Sequence, residues 1–468
     1  MKDQLVDTPS LVTLASRELI CGVIQCSESL LTTLKDGARQ RMTAPKTKQA
    51  KAGHKTTSPA RAGVVMAILF LIFFLGNSDN QMVSPLLPLI AGEFKLDVGH
   101  VGSLMIPAYA LAAATAALLV GPISDKFGRR RFLLAASILF GASVLAVFLI
   151  RDVRVLAAIR ILTGLASGTF STCSIAYVAN YFPYSRRGVA MSVVQAGYFA
   201  ALVVGVPVAT VLAQSEGWRT SFAFFGSLAL VAFLLVLFLL PEDRHSIEQA
   251  LAERVARRFD NIRVVFETRQ RVAAIAAAFL VSAGFVGFFS YLGSWLQNSL
   301  GLRTRDVGFF FIIVGVASLA GAFAAGPLSD RFGKRLVSIL STILLAMMLF
   351  LIPRAGWGPV LFASFLTASL AFAFRQGPLQ ALATHLVPPR VQGAFVAVRN
   401  TGSQIGIAVS AAISGLLYKS FGYGAVGLFS AITTLGAAVC IFMMKEPHHE
   451  HTAQERQVAE PQPRGEEA

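Results

Sequence analysis

Within the long apolar runs of this chain one carboxylate stands alone, Asp79, set in Gly76-Asn77-Ser78-Asp79-Asn80-Gln81. A charged side chain in a bilayer core is costly, so each one found there is a functional expectation. A single carboxylate among amides, facing a wet cavity, is suited to carrying one proton at a time. Arg160 falls at a similar depth on another apolar run. The two predict either an ion pair that is made and broken as Asp79 exchanges a proton, or a structural clasp between helices. Arg375 and Arg399 are further cations inside apolar runs, with His385 near a run's end. Such arginines either reach for the surface along their apolar stems, or line the inner mouth of a cavity, favouring anionic or amphiphilic solutes or gating it through contacts with carbonyls. Asn77, Asn80, Gln81, Tyr109, Tyr198, Tyr291 and Trp295 complete the expected cavity wall.

The elements that must hold these residues are helices crossing a bilayer. Of 468 residues, 55% are hydrophobic and 14% charged, whereas soluble domains carry about a quarter charged residues. The surplus apolar surface needs lipid to face. Apolar runs of about 20 residues recur, the length a helix needs to cross a hydrocarbon core of roughly 30 Å. Spans are predicted near 64–90, 100–122, 132–150, 155–182, 189–213 and 220–240, then 272–296, 307–328, 336–353, 358–383, 393–418 and 423–444. The segment 1–61, with ten basic and five acidic residues, reads as a cytoplasmic basic tail, largely disordered. The pause at 241–271 holds seven Arg and six acidic residues, which suits a solvated cytoplasmic linker helix. Residues 445–468 read as a disordered cytoplasmic tail.

Charge sets the orientation. The formal net charge of +16 lies mainly in short loops and the N-terminal tail, the collar of a membrane protein and not a nucleic-acid-binding face. Basic residues concentrate on the side that bears the linker, 17 against eight, so both termini are expected in the cytoplasm, in a bacterial inner membrane. Cys21, Cys26, Cys173 and Cys440 have no metal-site spacing, and no metal or other cofactor is expected. Phosphate-binding loops, HExxH and GxSxG patterns are absent from the sequence, which argues against an enzyme.

One loop occurs twice. Gly121-Pro122-Ile123-Ser124-Asp125-Lys126-Phe127-Gly128-Arg129-Arg130 follows span 2, and Gly326-Pro327-Leu328-Ser329-Asp330-Arg331-Phe332-Gly333-Lys334-Arg335 follows span 8, 205 residues later. Recurrence at equivalent places in two halves points to internal duplication. Gly and Pro are expected to turn the chain at the membrane surface. The aspartates suit helix N-termini, and the basic pairs suit helix C-termini or carboxylates, forming a latch that holds one conformation.

These loops carry the pattern G-x-x-x-D-x-x-G-R-[KR], and the chain over about 62–444 resembles the major facilitator superfamily of transporters. Arg160-Ile161-Leu162-Thr163-Gly164, followed by Gly168, resembles the family's span-4 signature associated with proton coupling. Glycines four apart also let a neighbouring helix pack closely. The Gly205-Val206-Pro207 segment of span 5 resembles, in altered order, the helix-bending signature of the drug-efflux antiporters. Trp218-Arg219 and Phe222 resemble their WR-x-x-F junction, and Pro183 to Gly188 their inner 4–5 loop. The resemblance implies an all-α integral membrane fold with two pseudo-symmetric six-helix bundles, 62–240 and 272–444, around a central cavity. It further implies alternating access driven by the proton gradient. The expected activity is export of a small amphiphilic molecule or drug in exchange for protons, by a monomer. Proton-linked uptake of a sugar or organic acid, and a sensor of the same shape that moves nothing, are the alternatives.

Overall fold

The computed structural model describes residues 59–182, 184–242, 264–387 and 392–444. They form twelve helices long and apolar enough to cross a membrane. The first half comprises α1 (Pro59–Phe94), α2 (Val98–Phe127), α3 (Arg129–Leu145), α4 (Val153–Tyr181), α5 (Tyr184–Ala200, a π-helical turn Ala201–Gly205, then Val206–Glu216) and α6 (Trp218–Leu239). The second comprises α7 (Arg269–Asn298), α8 (Thr304–Phe332), α9 (Lys334–Leu351), α10 (Pro359–His385), α11 (Gln392–Phe421) and α12 (Tyr423–Phe442). No strand forms among the described residues. The expectations for residues 1–58, for 243–263 of the linker and for the tail from 445 lie outside the described residues.

Most helices run several residues past the spans read from hydropathy, because helical hydrogen bonding does not stop where the apolar run does. Side chains on connecting residues then cap the exposed starts. Asp97 accepts from the backbone N–H groups of Gly99 (2.8 Å) and His100 (3.3 Å) at the start of α2, and Asp152 accepts from Arg154 N–H (2.8 Å) at the start of α4.

The sharp reversals fall at glycine. Gly128 (φ 96°) joins α2 to α3 and Gly333 (φ 89°) joins α8 to α9, a left-handed backbone that an L side chain adopts only with strain. This corrects the expectation that Gly121-Pro122 and Gly326-Pro327 turn the chain. Both pairs lie inside α2 and α8, which continue past them for another turn or so. A proline near a helix end costs little when water can satisfy the carbonyl it frees.

The helix-packing pattern of one half repeats in the other. The helix pairs α1 with α5, α2 with α4, α3 with α4 and α3 with α6 recur as α7 with α11, α8 with α10, α9 with α10 and α9 with α12. The halves meet through α1 on α7 and through the symmetry-related pairs α2 on α11 and α5 on α8.

Every described hydrogen bond between the halves lies toward the end opposite the repeated loops. Ser84 Oγ donates to the Phe289 carbonyl (2.7 Å) and accepts from Gly293 N–H (3.2 Å); Gln297 Nε2 donates to the Pro85 carbonyl (2.7 Å); Arg305 N–H donates to Gln214 Oε1 (3.1 Å). Backbones touch there because Gly415 has no side chain: a Cβ on it would stand 2.7 Å from the Gly99 carbonyl and 3.0 Å from Ser103 Cβ. Gly415→Val should therefore force this end apart. With nitroxides at Glu216 and Arg303 in a background lacking the native cysteines, the interspin distance is expected to lengthen. An unchanged distance distribution would show that this seam does not hold the end closed.

Candidate functional site

Between the halves, open at the end where no such bonds occur among the described residues, lies a cavity of about 310 Å³. Asn77, Asn80 and Gln81 of α1, Tyr109 of α2, Tyr198 of α5, Arg375 of α10 and Arg399 of α11 all line it. Tyr291 and Trp295, expected on the same wall, do not. Tyr291 is fully buried, its hydroxyl donating to the Ala411 carbonyl (3.1 Å) and its ring stacked on Tyr418, while Trp295 stacks on Tyr423. Both belong to the packed end of the second half. In this conformation their faces are occupied by other rings, and neither residue lines the cavity.

Asp79 and Arg160 meet, with Arg160 Nη1 donating to Asp79 Oδ2 at 2.6 Å and neither side chain exposed beyond 2%. Neither lines the cavity. Tyr109 stands between. Its ring lines the cavity and lies 4.5 Å from the Arg160 guanidinium carbon, and its hydroxyl hydrogen-bonds to the Gly76 carbonyl (3.1 Å) and Ser167 Oγ (2.6 Å). A cation over an aromatic face is attracted by the ring's quadrupole, so Tyr109 both holds the arginine and separates the pair from the aqueous space. The carboxylate is only half satisfied: Asp79 Oδ1 and the neighbouring Ser78 Oγ have no hydrogen-bond partner. Oδ1 is therefore free to accept a proton without the Arg160 bond to Oδ2 being broken first.

Two close approaches set this geometry. Gly164 and Gly168 of α4 lie directly on the backbone of α2 at Tyr109 and Ala113, so a methyl group on either would strike main chain. That contact fixes the depth of Arg160 against Tyr109. On α5 the π-helical turn ends at Gly205, where Val206 N–H bonds back to the Ala201 carbonyl five residues earlier. Pro207 follows, with no N–H to offer. The wide turn lays Gly205 against the side chain of Ser78, the residue beside Asp79. Gly205 and Pro207 thus mark an irregular turn, as their types suggest, and it abuts the acid.

The repeated basic residues grip helix ends. Arg129 Nη1 donates to the Ala176 carbonyl near the end of α4 (2.7 Å). Arg130 donates to the Val236 and Leu237 carbonyls at the end of α6 and pairs with Glu242 (3.3 Å). Arg335 donates to the Phe442 carbonyl at the end of α12. Guanidinium groups suit the negative ends of helices. Asp330 departs from its expected place at a helix start. It lies exposed in the last turn of α8 and makes no ion pair among the described residues. The side chain of Asp125 lies outside the described residues.

Several wall residues carry no charge and escaped a reading that began from charges. Phe285, Phe289 and Phe372 form a stacked apolar wall, with 3.9 Å between the centroids of Phe285 and Phe372. Gln376, Gln380 and Gln404 add amides. Gln376 and Gln380 are four apart on α10 and next to Arg375, a polar stripe on one helix face that an amide scan of the spans would have flagged. Glu93 was also missed, since α1 extends to Phe94. It ion-pairs with Arg219 and accepts from Trp218 Nε1 (2.6 Å), while Arg219 Nη2 reaches the Ile150 carbonyl (2.8 Å). The Trp218-Arg219 junction thus ties together the same end of α1, α3 and α6.

Comparison with known proteins follows the same lines. A family model described as Major Facilitator Superfamily matches residues 69–394 and 277–466. The uncharacterized MFS-type transporter YwfA of Bacillus subtilis (strain 168) is 29% identical over 385 residues, covering 80% of this chain and 90% of its own length. YceJ of the same organism, another uncharacterized MFS-type transporter, is 26% identical over 374 residues, 78% of this chain and 92% of its own. Among solved structures, a D-xylose-proton symporter matches with a TM-score of 0.69 at 21% identity, over 82% of this chain and 98% of that one. An inward-facing, unoccupied bacterial homolog of the human lysosomal transporter Spinster matches with a TM-score of 0.67 at 16% identity, over 83% and 96%. At these identities the solved structures share the fold.

Proposed function

The chain belongs to the major facilitator superfamily, and from that premise we propose that this transporter exports a small amphiphilic molecule in exchange for protons, by alternating access. The observation that carries the proposal is the buried Asp79–Arg160 pair, joined to the cavity wall by Tyr109, whose ring lies 4.5 Å from the Arg160 guanidinium carbon. Protonation neutralises Asp79 and releases Arg160 from its partner, which changes the forces between α1 and α4. The π-helical turn of α5 rests on Ser78 and would receive that change directly. The wall of stacked phenylalanines beside amides suits a molecule with an apolar body and a polar head. The Arg129, Arg130 and Arg335 contacts brace helix ends within each half, on the side that the loop charges assign to the cytoplasm.

A second reading, proton-linked uptake of a hydroxylated solute, draws on the six amides that line the same cavity, Asn77, Asn80, Gln81, Gln376, Gln380 and Gln404. Gradient direction separates the two. Cells overexpressing the chain and preloaded with a panel of fluorescent amphiphiles of each charge class are expected to lose at least one several-fold faster than control cells while the proton gradient points inward. A protonophore should abolish that difference. Loss driven by an outward gradient instead would overturn export and favour uptake.

A further inference from the structure

We propose that the second half of the cavity is a carboxylate subsite: Arg375, with Arg399 beside it, receives the anionic head of the transported molecule, while the phenylalanine wall takes its apolar body. This rests on the reading of the cavity as a substrate path and names the class of substrate.

Arg375 is 1% exposed, and none of its three guanidinium nitrogens has a hydrogen-bond partner. Its one described contact is a ring: the guanidinium carbon lies 5.4 Å from the centroid of Phe372. A guanidinium presents five N–H donors in a rigid fork that fits a carboxylate two bonds at a time. Leaving a buried, fully ionised fork unanswered is among the least favourable arrangements a fold can contain, so its persistence calls for a partner that comes and goes. The surface-seeking alternative fails on position, because the head is enclosed and lines the cavity.

The surroundings select the sign of that partner. Among the described residues lining the cavity, Arg375 and Arg399 are the only charged ones and none is a carboxylate; Asp79 does not line it. Arg399 is held by Gln380 Oε1, which orients its head and leaves its charge uncompensated. Low-dielectric walls focus this doubled positive potential into the cavity. The stack of Phe285 on Phe372, with Phe289 beside them, offers a flat apolar surface directly below the Arg375 fork. Fork and wall side by side match an aromatic or long-chain monocarboxylate. The two halves then divide the work: the first keeps the proton site, the second the anion site.

Three molecules of one skeleton test this on the full chain purified in detergent: 2-naphthoate, 2-naphthamide and 2-naphthylmethylammonium, with binding read by equilibrium dialysis and thermal shift. The carboxylate is expected to bind roughly tenfold tighter than the amide, and the ammonium more weakly still. Arg375→Gln should erase the preference for carboxylate over amide while leaving amide binding in place. Arg375→Lys should restore part of it, and a merely structural role would not move this ratio. Asp79→Asn should keep the preference in full. Equal binding of carboxylate and amide to the wild type, failure of all three to bind at millimolar concentration, or a preference that survives Arg375→Gln would overturn the subsite. Loss of proton-driven transport with the preference intact, or the reverse, tells failure of one proposal from failure of the other.

Discussion

Asp79→Asn protein in liposomes should move substrate down its own gradient and yet be blind to a pH gradient. Asparagine reproduces the shape and neutrality of protonated Asp79 but has no proton to surrender. In a one-for-one exchange with the membrane potential held at zero, one pH unit supplies about 1.4 kcal/mol, enough for roughly tenfold accumulation. The wild type should approach that ratio, and the variant should stay at one. Substrate counterflow, which needs no proton, is the control: it should persist at a measurable rate because Tyr109 and the cavity wall remain. The sign of the wild-type pH dependence follows from the exchange. Protons must load from the side that receives the substrate, so acidifying that side should speed export and acidifying the opposite side should slow it. Accumulation retained in the variant would remove Asp79 from the coupling.

The second large effect is on the fold. Arg160→Ala leaves the Asp79 carboxylate buried at 0% exposure with its one described partner gone. Removing one member of a buried pair costs about 3–5 kcal/mol, because the remaining charge has neither water nor counter-charge. The expected result is a sharp fall in monodisperse protein and in thermal midpoint. Arg160→Gln combined with Asp79→Asn replaces the pair by two neutral amides and should recover most of the loss. With Arg160→Gln and Asp79→Asn also measured singly, the double-mutant cycle yields the coupling directly. Additive losses would mean that Arg160 acts on stability through Tyr109 and not through Asp79.

Asp79 and Arg160 were readable as partners because charges are so sparse in apolar runs that two at matching depth have few other choices. The same sparseness exposed Arg375. Gly164 and Gly168 were readable for a different reason: small residues four apart admit only one kind of neighbour, and α2 fills that place. What stayed hidden is what depends on meetings between residues far apart in sequence. Ser84 and Phe289, 205 residues apart, form the seam between the halves, and nothing in either segment names the other. Tyr291 and Trp295 show the limit of residue type. An aromatic residue on a span has the same type whether its face meets a solute or another ring, and only packing against Tyr418 and Tyr423 distinguishes them. The proline placement at Pro122 and Pro327 misled for a local reason, since a helix end in contact with water tolerates a missing hydrogen bond that its interior does not.

The seam between the halves also has a mechanical consequence. Its described bonds sit along α1, α5, α7 and α8, helices of about 30 residues and so about 45 Å long. Rods of that length turning about a point near mid-depth act as balanced levers. A rocking of about 15° displaces each far end by roughly 6 Å, more than the reach of the hydrogen bonds in the seam. The same stroke draws the opposite ends together by a like amount.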